Sequence, residues 1–136
     1  MDKVFRIVIH GADVIDIPSF YRQINDQLMR DEEWTIGDSL DAFNDLLYGG
    51  FGAAHDSDVL EIEWRDIGAS RDALGVDATR DYYRAKIADG RFDSELFRAK
   101  LRALESGRGA TYFDMLMEII GDHDRVRLIA DAVTGK

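Results

Sequence analysis

Asp58-Val59-Leu60-Glu61-Ile62-Glu63-Trp64-Arg65-Asp66 sets Leu60, Ile62 and Trp64 against charged neighbours, and that period of two predicts a strand with one apolar face. The segment before it has a different period. Residues 39–48 open on Ser39, carry Leu40, Phe43 and Leu47 at helical spacing, and stop at Gly49-Gly50, which supply the left-handed conformations a helix end favours. Residues 51–57 then read as a loop, and Gly68 is expected to end the strand. Further out, residues 3–10 place Val4 or Phe5 with Ile7 and Ile9 in a first strand. Asp16 caps a helix with Pro18 in its first turn and Phe20, Ile24 and Leu28 in one buried stripe, flanked by Tyr21 and Gln27. The acidic run Asp31-Glu32-Glu33 leads into Trp34-Thr35-Ile36-Gly37, which reads as a turn.

Downstream, residues 77–88, 94–105 and 111–120 each show helical spacing. Tyr82, Tyr83 and Ile87 mark the first, Leu96, Phe97, Leu101 and Leu104 the second, Phe113, Leu116 and Ile120 the third. Gly75, Gly90 and the glycines at 107 and 109 punctuate them, and a last strand over 125–130 follows the turn Gly121-Asp122-His123-Asp124. Strands separated by helices pair in parallel through crossovers. The expected fold is therefore α/β, a three-stranded parallel sheet packed with helices in a single domain over residues 1–136.

The composition fits that expectation and narrows the function. A chain of 136 residues with 46% hydrophobic and 32% charged residues can bury a core without a metal or disulfide. It has no cysteine, which removes thiol nucleophiles and cysteine zinc sites and fits a reducing compartment. Charge interrupts the N-terminal segment too early for a signal-peptide apolar run, and no stretch is long enough to span a membrane, so a cytoplasmic location is expected. A net charge of −10 argues against direct binding to nucleic acid, whose affinity comes from Lys and Arg displacing counterions, and suits a cationic partner.

The chemistry concentrates in Gly37-Asp38-Ser39-Leu40-Asp41-Ala42-Phe43-Asn44-Asp45-Leu46-Leu47-Tyr48-Gly49. Asp41 and Asp45 stand one helical turn apart, so their carboxylates point the same way and repel by a few tenths of a kcal/mol. Asp41 gains from the helix N-terminus, whereas Asp45 sits in the last turn, where a cation would serve the helix better. The pair, flanked by Asp38 and Tyr48, reads either as an ordinary solvated helix face or as a surface that presents anions to a partner.

This segment resembles the inhibitory helix of the barstar family, Gly-acid-Asn-Leu-Asp-Ala-aromatic/Leu-x-Asp-x-Leu-x-Gly, with matching spacing. Leu60-Glu61-Ile62-Glu63-Trp64-Arg65-Asp66-Ile67 resembles the family's second strand, and residues 111–130 its last helix and strand; residues 75–109 then read as an inserted pair of helices. The resemblance implies an intracellular protein that blocks the active site of a basic ribonuclease, with a protein partner, no cofactor and no catalysis of its own. It implies that Asp41 and Asp45 pair with the nuclease's catalytic cations in place of substrate phosphate, and that Glu118 and Gly49 also touch the enzyme. Ser39, Asn44, Tyr48 and Thr35 occupy contact positions where the family carries asparagine, tryptophan, threonine and tyrosine, so most of the aromatic anchors are replaced. The alternative is a barstar-like interaction module with no nuclease target.

Other constellations are weaker. His10, His55 and His123 are too scattered for a catalytic triad or a helical metal pair, and the Asp, Ser and His residues at 55–58 and 122–124 have the chemistry of turns. A hydrolase built on Asp41, Asp45 or Glu118 would need a carboxylate of raised pKa inside a pocket. Trp64 is expected in the core, together with most of Tyr82, Tyr83, Phe92, Phe97, Tyr112 and Phe113.

Overall fold

The computed structural model describes residues 2–130. Strands β1 (Val4–His10), β2 (Val59–Arg65) and β3 (Val126–Ala130) form one parallel sheet in the order β1-β2-β3. Helices α1 (Ile17–Leu28) and α2 (Leu40–Tyr48) connect the first two strands; α3 (Ile67–Ala73), α4 (Val76–Asp89), α5 (Ser94–Glu105) and α6 (Tyr112–Gly121) connect the last two.

The register stacks Phe5, Leu60 and Val126, then Ile7, Ile62 and Leu128, then Ile9 and Trp64 on one face of the sheet. Helices cover that face. Trp64 is fully buried, stacked on Phe20 at 5.6 Å and edge-on to Phe113 at 5.9 Å, with Phe43 against Phe20 at 5.4 Å. The indole Nε1 of Trp64 donates to Ser70 Oγ at 2.9 Å, and Ser70 donates in turn to the Gly11 carbonyl at 3.0 Å. A Cβ on Gly11 would lie 2.2 Å from the Arg65 carbonyl, so the start of the first crossover and the end of β2 approach as closely as only glycine permits.

One expectation is corrected here. Gly68 does not end the second strand: β2 stops at Arg65, Asp66 turns the chain at φ 49°, and Gly68 lies inside α3, a helix not foreseen in the sequence. Asp is among the few residues that tolerate this left-handed conformation. Seven residues with Gly68 and Ser70 among them carry little helical signal; α3 is held by the Trp64–Ser70–Gly11 chain of hydrogen bonds and by buried Leu74 just beyond it.

The opposite face of the sheet is open. Across its centre, Arg6 and Arg127 converge from the outer strands on Glu61, whose side chain is only 6% exposed. The outer edge of β1 is closed by two side-chain amides from α1. Gln27 exchanges hydrogen bonds with the backbone of Val8 at 2.8 and 2.7 Å, and Gln23 does the same with His10 at 2.8 and 3.0 Å. These amides satisfy groups that would otherwise template edge pairing.

The hydrogen bond from Arg6 holds the Glu61 carboxyl below the usual carboxylate range. A carboxylate whose pKa is lower in the fold than in the unfolded chain contributes stability above its unfolded pKa of about 4.3, and that contribution is lost as pH falls through the lowered value. Glu61→Gln is therefore expected to flatten the acid limb of a melting-temperature profile below about pH 4.3. A parallel drop at every pH would instead assign the loss to packing.

The segment 75–109 folds as a helical hairpin, α4 packed on α5. Its buried side chains are few: Thr79 and Tyr83 from α4, Leu104 from α5. Thr79 ties it to the core by accepting from the Tyr112 amide at 2.7 Å, and Tyr82 packs edge-on against Tyr112 at 5.1 Å. The expected burial of the aromatic residues holds for Tyr83, Tyr112 and Phe113, while Phe92 is exposed and Tyr82 and Phe97 are half-buried.

Candidate functional site

Helix α2 begins where Ser39 turns from extended backbone and its hydroxyl accepts the Ala42 amide at 3.2 Å. Phe43, Leu46 and Leu47 face the core. The helical period then puts Asp41, Asp45 and Tyr48 outward along one exposed stripe. The helix ends at Gly49 with φ 88°, where a Cβ would lie 2.8 Å from the Arg125 guanidinium. The glycine is required twice, by its conformation and by the arginine beneath it.

Arg125 fixes the far end of the helix. Its Nε donates to the Leu47 carbonyl at 3.0 Å, and its Nη1 to the carbonyls of Ala54 at 3.2 Å and Ser57 at 2.9 Å. One guanidinium thus joins the last turn of α2, the loop after it and the start of β3. Desolvation lowers the Arg125 pKa from its ordinary value. An arginine nevertheless stays charged, and here it neutralises the carbonyl end of the helix dipole.

The other predicted site residues divide into two groups. Asn44 is half-buried and engaged: its Oδ1 is 2.7 Å from Nε2 of His123, a buried residue whose ring also meets Tyr48 edge-on at 4.5 Å. Ser39, Asn44 and Gly49 therefore have structural roles in building the helix and seating it. Thr35, Asp38, Asp41, Asp45, Tyr48 and Glu118 are exposed. Glu118 lies on α6, the helix packed beside α2, one turn after Met115, which lines the same cleft as Asp41. Asp41, Asp45 and Glu118 make no ion pair among the described residues. Arg65 is paired with Glu63 and Arg125 with backbone carbonyls, while Lys86 and Lys100 share a cleft with Asp41 without an ion pair to it.

Beneath the acidic stripe the Tyr21 and Tyr112 hydroxyls meet at 2.6 Å. Burial pushes both phenols up, and the charge of Asp38 adds to this, so the pair stays protonated under the helix.

Sequence reasoning missed two features of this surface. Trp34, read as part of a turn, is 50% exposed and packs on Phe51 at 5.1 Å beside the C-terminal end of α2. Its neighbour Ile36 is buried and clamped by Asn25, which bonds both its amide at 2.8 Å and its carbonyl at 3.1 Å. Together with Tyr48, 71% exposed, Trp34 places aromatic area near the acidic stripe. The second feature is a cleft of about 490 Å³ between the N-terminal end of α2, α6 and the α4–α5 hairpin. Among the described residues no group of three or more His, Cys, Asp or Glu side chains could hold a metal ion, and no helix is long and apolar enough to cross a membrane. No protein-family model and no curated protein sequence matches the chain.

Proposed function

We propose that this chain is a barstar-like inhibitor that binds the active site of a basic ribonuclease through α2. One observation carries the reading. Asp41, Asp45 and Glu118 stand exposed on the adjacent helices α2 and α6 and make no ion pair among the described residues, and α2 is seated by Ser39, His123 and Arg125. A ribonuclease site stabilises a phosphate-like transition state with converging cations, so carboxylates held at a fixed spacing meet a preformed complementary field. Tyr48 and Trp34 supply aromatic contact area of the kind that anchors interfaces.

Association with a panel of basic ribonucleases, followed by stopped-flow fluorescence, tests the reading. Exposed charges are screened beyond a Debye length of about 10 Å at 0.1 M salt, so raising salt is expected to slow association far more than it speeds dissociation. Absence of inhibition at low salt across the panel, or association indifferent to salt, would overturn it.

A further inference from the structure

The cleft beside α2 has a composition that the acidic surface around it does not share. Tyr82, Phe92 and Phe97 present rings to it, Lys86 and Lys100 line it, and Asp41 stands on its other wall beside Ser39. Two of the four lysines of a chain with net charge −10 thus share one cavity. Two arginines of the hairpin are ion-paired, Arg80 with Asp77 and Glu105 and Arg91 with Asp89. Lys86 and Lys100 make no ion pair among the described residues and, unlike the hairpin's other unpaired cations, both line the cleft. Lys86 is oriented instead by aromatic rings, its Nζ 4.0 Å from the Phe92 centroid and 5.4 Å from that of Tyr82. An ammonium over a ring face keeps its N–H donors for a further acceptor.

We propose that this cleft binds a small aromatic anion: a planar ring lying against Tyr82, Phe92 and Phe97, with its phosphate or carboxylate at Lys86 and Lys100 and a donor group at the opposite edge directed to Asp41. The volume falls within the usual range for small-molecule sites, about 300–1,000 Å³, and the lining has their usual character, mostly apolar and aromatic with a few converging polar groups. Two ammonium groups against one carboxylate leave the cleft positive within an acidic protein. That polarity selects an anion and rejects a cationic partner segment. The proposal shares Asp41 with the nuclease reading but does not rest on it.

The test titrates adenosine 5′-monophosphate and 4-aminobenzoate separately into the full chain, following backbone amide shifts, with adenosine and aniline as neutral controls. At least one of the two anions is expected to saturate near millimolar concentration or below, with shifts clustered on residues 39–41, 82–86 and 92–100. Tighter binding of the nucleotide assigns a phosphate ligand, and tighter binding of the benzoate a carboxylate. Lys86→Gln and Lys100→Gln are each expected to weaken binding about tenfold, the effect of losing a hydrogen bond to a charged group, and Lys100→Arg to restore most of it. Lys100 is exposed, so its substitution leaves the fold intact for the comparison. Failure of both anions to saturate, equal binding of the neutral controls, shifts clustered elsewhere, or glutamine variants that bind as the parent does would each overturn the proposal.

Discussion

Asp45→Ala is expected to leave the protein as stable as before, or more stable by a few tenths of a kcal/mol, while weakening its complex with a basic ribonuclease by about 2–5 kcal/mol. The two effects have separate origins. In the free protein Asp45 is exposed, lies in the last turn of α2 against the carbonyl end of the dipole, and stands one turn from Asp41, so its removal relieves two small repulsions. In the complex the same truncation would leave desolvated nuclease cations without a partner, a cost that appears mainly as faster dissociation. Melting temperature and dissociation rate, measured for Asp45→Ala beside Asp72→Ala, an exposed position on α3, separate the possibilities. An Asp45→Ala protein that unfolds, or a complex as long-lived as the control's, would remove α2 from the mechanism.

Arg125→Met is expected to do the reverse, lowering stability by about 2–4 kcal/mol, because three part-buried carbonyls lose a charged donor at once. Methionine fills much of the same volume but donates nothing. The carbonyls of Leu47, Ala54 and Ser57 would lose their partner together, each at a cost of about 1–3 kcal/mol, offset in part where water can enter. The end of α2 and the loop after it should loosen first, so amide exchange at residues 49–57 is expected to accelerate beyond the global change. Arg125→Lys, with a single cationic centre in place of the fork, should recover only part of the loss. A melting temperature within about 3 °C of the parent for Arg125→Met, corresponding to roughly 1 kcal/mol, would show that these three contacts add little.

Much of α2 was readable in the chain itself. Ser39 at its start, Gly49 at its end and the apolar stripe through Phe43 and Leu47 settle where it begins, where it stops and which side faces water, because capping and helical period depend on residues three or four positions apart. The exposure of Asp41, Asp45 and Tyr48 follows from the same period, as does the burial of Ile62 and Trp64 from the alternation along β2. The short helix α3, the junction of Arg125 with carbonyls 68, 71 and 78 residues away, the bond between His123 and Asn44, and the meeting of Lys86, Lys100 and Asp41 in one cleft follow no such local rule. They depend on which segments become neighbours once β2 lies between β1 and β3 and the hairpin settles against α6. Local spacing decides what each helix and strand presents to its surroundings; only the packed structure decides which distant donor, acceptor or ring it meets, because a buried polar group takes its partner from whatever chain the fold brings within hydrogen-bond reach.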